Sequence, residues 1–184
     1  RFAPRTSLTS NGFHLMASID LSGVHIPTAT AFAADGELDL AGLRSNLRHW
    51  AGRGVQGVVI GGSTGEAVFL DEEERQAVWQ AAGDEVGDEL VITAGTGAES
   101  TRSTIAFCRT AAAAGAHAVL VQPPAFYKGA MSHQALTTHY RAVADASPVP
   151  VILYQVPLKM STLDFSTEFV AELAEHDNVV GIKD

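Results

Sequence analysis

The sequence predicts an α/β fold built on a parallel sheet, and three observations carry that expectation. Six short, β-branched apolar runs recur: VHIPTATAF from Val24, GVVIGG from Gly57, LVITAG from Leu90, AVLVQPP from Ala118, VPVILYQVP from Val149 and NVVGIK from Asn178. Their first residues lie 28 to 33 positions apart, which leaves room for a helix between each pair. The runs are continuously apolar rather than alternating, as strands covered on both faces must be, and a helix between two parallel strands closes a right-handed crossover. An open doubly wound sheet and a closed (β/α)8 barrel both satisfy this pattern. A barrel takes eight strand and helix pairs, typically about 250 residues, so on that reading the six strands and five helices are a fragment truncated after strand six.

Each intervening segment carries its own helix signal. Leu40, Leu43, Leu47 and Trp50 share one helical face. Asp71 and Glu74 have the spacing of a capping box ahead of Val78, and Ser132 and Ser166 are placed to cap the later helices. Cys108, the one cysteine, falls inside TIAFCRTAAAAGA, where a small buried hydrophobe is expected rather than a reactive thiol. No change of composition divides residues 21–184 into two domains. Residues 1–20 read as a separate leader: Arg1, Arg5 and five Ser or Thr precede the first acid, Asp20, the balance of an organellar transit peptide or of a disordered extension.

At 184 residues and 46% hydrophobic content the chain can bury a sizeable core. Twelve basic against 21 acidic side chains give a formal charge of -9, which repels phosphate backbones and excludes a nucleic-acid partner. No apolar run reaches the roughly 18 residues of a membrane span, so no membrane partner is expected. A single cysteine offers no disulfide and suits a reducing compartment. Of seven histidines, only His133 and His139 share a helix, six apart, and H-E-x-x-H is absent, so no metal is expected.

In either architecture functional groups gather at the C-terminal ends of the strands. After strand two comes GGSTGEAVFL (Gly61–Leu70), whose glycines admit a ligand close to the backbone while Ser63 and Thr64 add hydroxyls. That suits a carboxylate or phosphate, although the loop lacks the P-loop lysine and does not match G-x-G-x-x-G, and a tight turn alone would also call for glycine. Gly95, Thr96 and Gly97 after strand three read as turn residues. Strand six ends in Lys183, one of three lysines. An amine approached by Val179, Val180, Gly181 and Ile182 is destabilised as a charge, and its neutral form can add to a ketone as a Schiff base; the alternative is a solvated strand-end lysine. Lys128 and Lys159 lie among loop residues. Tyr154 ends strand five, where a phenol could relay protons or simply fill the core.

In order and spacing, GGSTGEAVFL, ITAGTGAEST, VILYQVP and GIKD resemble the motifs of the dihydrodipicolinate synthase and N-acetylneuraminate lyase superfamily of class I aldolases. The resemblance implies a (β/α)8 barrel, a homotetramer, and catalysis with no metal or organic cofactor. It makes Lys183 the Schiff-base lysine and Tyr154 the proton-relay tyrosine. Gly62, Ser63 and Thr64 then hold the carboxylate of a 2-oxo acid, and the pair Ser63 and Thr64 also helps to hold the relay tyrosine, with Thr64 taking part in catalysis. FYKGAMSHQALTTHYRAVADASPVPVILYQVP followed by HDNVVGIKD looks most like mitochondrial 4-hydroxy-2-oxoglutarate aldolases, which implies cleavage to pyruvate and glyoxylate and a mitochondrial location, with the cytoplasm as the alternative. The other readings are a synthase condensing pyruvate with aspartate semialdehyde and a non-catalytic 2-oxo acid binding homologue. An open-sheet nucleotide-binding protein ranks below these. Lys159 stands where the synthases carry an arginine. Phe126 stands where the family places a relay tyrosine, with Tyr127 beside it as the residue that could take that role.

Overall fold

The structure, a computed structural model, describes residues 19–157 and 163–184. Strands and helices alternate: β1 (His25–Pro27), α1 (Leu40–Ala51), β2 (Gly57–Ile60), α2 (Glu72–Val86), β3 (Val91–Gly95), α3 (Thr101–Ala113), β4 (Ala118–Val121), α4 (His133–Ala146), β5 (Val151–Tyr154), α5 (Thr167–Leu173) and β6 (Val179–Lys183). The six described strands pair in parallel throughout, and their spatial order β1-β2-β3-β4-β5-β6 repeats the sequence order. A doubly wound sheet reverses its order at a switch point. Here the order never reverses, and each helix packs on the next, α1 on α2 through to α4 on α5. The helices therefore form one layer along one face, and the molecule is a partial (β/α)8 barrel of six strands and five helices.

Alternation along the strands divides the apolar residues between two faces. Val58, Ile60, Ile92, Ala94, Val119, Val121, Val151 and Leu153 point toward the helices and build the main core with Leu43, Leu47, Trp79, Cys108 and Tyr140. Val59, Leu120, Tyr154 and Val156 form a smaller cluster on the inner face. Strands apolar on both faces are what the unbroken hydrophobic runs encode.

Local chemistry sets the helix starts. The Glu74 N–H donates to the Asp71 carboxylate and the Asp71 N–H to the Glu74 carboxylate, both at 2.9 Å, so the capping box of α2 is complete. Ser132 and Ser166 accept from the N–H groups of Ala135 and Phe169 at 3.2 Å. In α1, Leu43 and Leu47 are buried while Leu40 and Trp50 lie partly covered at the rim. Cys108 is fully buried, and that burial pushes its thiol pKa up. No described helix is long and apolar enough to cross a membrane.

Two sequence expectations need restating. Among the described residues β6 has one neighbouring strand, β5, and beside it Val180 and Ile182 of the VVGI run are each 41% exposed. Lys159 and residues 1–18 of the expected leader lie outside the described residues.

Gly83 tests the packing of this layer. Helix propensity alone would make Gly83→Ala stabilising by about 1 kcal/mol. A Cβ there would overlap the Ala114 carbonyl oxygen at the end of α3, so the clash should win. Gly83→Ala is expected to lower the stability measured by urea unfolding by about 1–3 kcal/mol.

His139 gives the fold a pH dependence. Its Nδ1 lies 2.9 Å from the Thr101 hydroxyl, its Nε2 is buried without a partner among the described residues, and burial lowers its pKa to about 4 from 6.5, against a smaller opposing effect of Glu99. The unfolded chain takes up this proton near pH 6.5 and the folded chain near pH 4, so the contribution is complete above pH 6.5 and drains away as pH falls between the two values. The wild type should lose about 2–3 kcal/mol from this group between pH 7 and 4.5. His139→Gln should flatten that part of the slope in urea titrations at the two pH values.

Candidate active site

The ladder between β5 and β6 places the amine. Val151 pairs with Val179, but Ile152 pairs with Gly181, Leu153 with Ile182 and Tyr154 with Lys183, so Val180 stands outside the ladder as a one-residue bulge. Val179 packs toward the helices, and strict alternation from it would send Lys183 the same way. The bulge absorbs one residue and turns Lys183 to the inner face beside Tyr154. There the Lys183 Nζ lies 3.9 Å from the centroid of the Tyr154 ring, an attraction worth roughly 0.5–2 kcal/mol depending on solvation.

Tyr154 is 5% exposed, and its hydroxyl lies 3.2 Å from the Ser63 Oγ across 91 residues of sequence. This contact ties the end of β5 to the turn after β2. The turn is tightly wound: Gly61 has φ 65° and Glu66 φ 56°, the latter a left-handed conformation that costs a non-glycine residue about 1–2 kcal/mol. Hydrogen bonds from the Gly65 N–H to the Gly62 carbonyl (3.1 Å) and from the Glu66 N–H to the Ser63 carbonyl (3.2 Å) close it. Gly95 at the end of β3 must lack a side chain, since a Cβ there would overlap the Gly61 carbonyl.

Beneath the turn, the Arg75 guanidinium donates to the carbonyls of Ala67 (2.7 Å) and Gly97 (3.4 Å) and stacks 5.0 Å from the centre of the Phe107 ring. Its burial lowers its pKa. Gly61, Gly62, Gln122, Tyr154 and Arg75 line one small cavity, and Val59, Thr93, Leu120 and Ile152 form a mainly apolar floor running up to Lys183. An amine, a phenol and an alcohol thus stand in a row at the C-terminal end of the sheet, where protons can pass between the last two.

Of the residues singled out in the sequence, Lys183, Tyr154, Ser63 and Gly62 come together here. Thr64 is exposed, and its side chain makes no hydrogen bond among the described residues, so the hydroxyl at the phenol is that of Ser63. Tyr127 and Phe126 are 72% and 77% exposed, edge to face with centroids 5.0 Å apart, and neither is bonded to Tyr154. The Glu99 carboxylate holds that loop by accepting from the N–H groups of Ala125 and Phe126 at 3.0 Å. His133 and His139 diverge, toward Glu172 and Thr101. Among the described residues no cluster of three His, Cys, Asp or Glu could hold a metal ion. Sequence reasoning passed over the Thr28-Ala29-Thr30 segment after β1 and Gln122 after β4. Their position at strand ends was the available signal.

The family model described as "Dihydrodipicolinate synthetase family" matches residues 20–184. The chain belongs to the dihydrodipicolinate synthetase family. Within it, the chain is 46% identical over 165 residues to a protein of Emericella nidulans named "Probable 4-hydroxy-2-oxoglutarate aldolase, mitochondrial", covering 88% of this chain and 53% of that one. It is 44% identical over 167 residues to a 4-hydroxy-tetrahydrodipicolinate synthase of Stenotrophomonas maltophilia, covering 90% and 55%. The crystal structure of a chloride-inhibited dihydrodipicolinate synthase from Acinetobacter baumannii, complexed with pyruvate, superposes with a TM-score of 0.85 at 34% identity, over 90% of this chain and 56% of that one. The chain spans about half the length of the curated relatives it matches.

Proposed function

We propose that the protein is a class I aldolase acting on pyruvate-derived 2-oxo acids, and that it cleaves 4-hydroxy-2-oxoglutarate to pyruvate and glyoxylate. The observation that carries the proposal is the Tyr154 side chain, which has the Lys183 amine against its ring and the Ser63 hydroxyl at its own. Lys183 attacks the C2 carbonyl, and a proton from Tyr154 helps the resulting carbinolamine lose water. The iminium then draws in the electrons of the C3–C4 bond as the C4 hydroxyl gives up its proton, releasing glyoxylate and leaving an enamine. Protonation at C3 and hydrolysis free pyruvate and the amine. The amides and hydroxyls of Gly62, Ser63 and Thr64 hold the substrate carboxylate.

The aldolase named among the relatives supports this substrate. The synthase relative supports a second reading, in which the same pyruvate imine condenses with aspartate semialdehyde. The exposed pair Phe126 and Tyr127 suits a homotetramer in which this loop meets a neighbouring copy. The balance of Arg, Ser and Thr without acid in residues 1–19 and the mitochondrial aldolase among the relatives support a mitochondrial location.

Borohydride reduction of the full-length protein with pyruvate should leave a stable adduct on Lys183 by peptide mass mapping; an unmodified Lys183 would overturn the mechanism. Parallel assays separate the two readings, glyoxylate release marking the aldolase and pyruvate-dependent consumption of aspartate semialdehyde the synthase. Pyruvate binding with neither activity would identify a non-catalytic homologue. Ser63→Ala should lower kcat about tenfold through the lost hold on the phenol, and Thr64→Val less than about threefold.

A further inference from the structure

We infer that Thr30 is a positioning residue for this site: through the Gly65 carbonyl it fixes the turn that carries Ser63, and through Ser63 the Tyr154 phenol. The inference rests on the lysine chemistry proposed above. Thr30 lies just after β1, and its hydroxyl donates to the Gly65 carbonyl at 2.6 Å across 35 residues of sequence. Gly65 stands between Ser63 and the left-handed Glu66. Strained backbone of this kind persists only where its surroundings hold it.

The turn's own hydrogen bonds close it on itself and do not fix its place relative to β5. Besides the Ser63–Tyr154 contact itself, Arg75 and Thr30 tie it to its surroundings. Arg75 grips the Ala67 carbonyl from α2, the helix that follows directly in the chain. Thr30 grips the Gly65 carbonyl from a different strand connection. That connection is itself braced. The Thr28 N–H donates to the Val59 carbonyl at 3.0 Å, the Asp39 N–H to the Ala31 carbonyl at 2.9 Å, and Phe32 bridges to Leu38. Thr30 is therefore a fixed post from β1, and it makes no hydrogen bond to Tyr154 or Lys183.

The contact it guards has little slack. An O–H···O bond is usually about 2.5–3.0 Å long. Ser63 and Tyr154 are already 3.2 Å apart, so a small outward drift of the turn would break their hydrogen bond.

The test is a double-mutant cycle in the full-length protein, read by kcat, KM and the rate of borohydride trapping with pyruvate. Thr30→Val keeps the shape and removes the donor, and should lower kcat about tenfold. Thr30→Ser should restore it to within about twofold. In a Ser63→Ala background, Thr30→Val should cost less than about twofold more, because the two residues act through one contact. Circular dichroism reports folding, and Thr30→Ala repeats the cycle if the valine variant does not fold. Full additivity, failure of serine to rescue, or an unchanged Thr30→Val in a wild type that traps pyruvate would overturn the inference alone. A wild type that traps no adduct overturns the lysine chemistry and this inference with it.

Discussion

The register of β6 against β5 is the constraint on which the site depends. It is pinned at both ends. At the entry, the Val151 N–H donates to the Asn178 carbonyl at 2.8 Å, while the Asn178 side-chain amide donates to the carbonyls of Ala144 (2.9 Å) and Ser147 (3.1 Å). At the exit, the Gln155 N–H donates to the Lys183 carbonyl at 2.9 Å, and the Gln155 side chain accepts from the Phe165 N–H at 3.1 Å. Between these anchors the sequence supplies one residue more than the ladder can pair, and Val180 takes up the excess. Every consequence for Lys183 follows from where that surplus is placed, since a slip of one residue exchanges the two faces of a strand.

The turn after β2 works on the opposite principle, close approach rather than register. Its backbone crowds the end of β3 so tightly that Gly95 can carry no side chain, and Gly65 lies under the Thr28 carbonyl, which a Cβ would meet at 3.1 Å. The left-handed Glu66 is the strained element, and the turn around it is held by hydrogen bonds to Thr30, Arg75 and Tyr154. Ser63 reaches Tyr154 because of that shape.

The sequence made the periodic and the strictly local features legible. Strand spacing, the faces of α1, the capping box at Asp71 and the serine caps all rest on interactions within a few residues, and the structure contains each of them. Features set by distant neighbours were hidden. Nothing in NVVGIK marks Val180 as the residue outside the ladder, and the exposure of Ile182 depends on which strands flank β6. Ser63 and Thr64 are adjacent hydroxyls, and only the backbone path through the turn decides which one faces the phenol. Phe126 and Tyr127 pose the same difficulty: both project outward from a loop whose placement depends on Glu99, 27 residues from Phe126.

Because spatial and chain order coincide, each strand can dock on its predecessor as synthesis proceeds, without waiting for a later segment to be inserted between them. Such vectorial assembly builds the alcohol-bearing turn first and the phenol next, and the amine arrives last. A half-made polypeptide emerging from the ribosome thus carries the Ser63 turn and the Tyr154 phenol, already able to meet, before Lys183 is laid against the phenol ring.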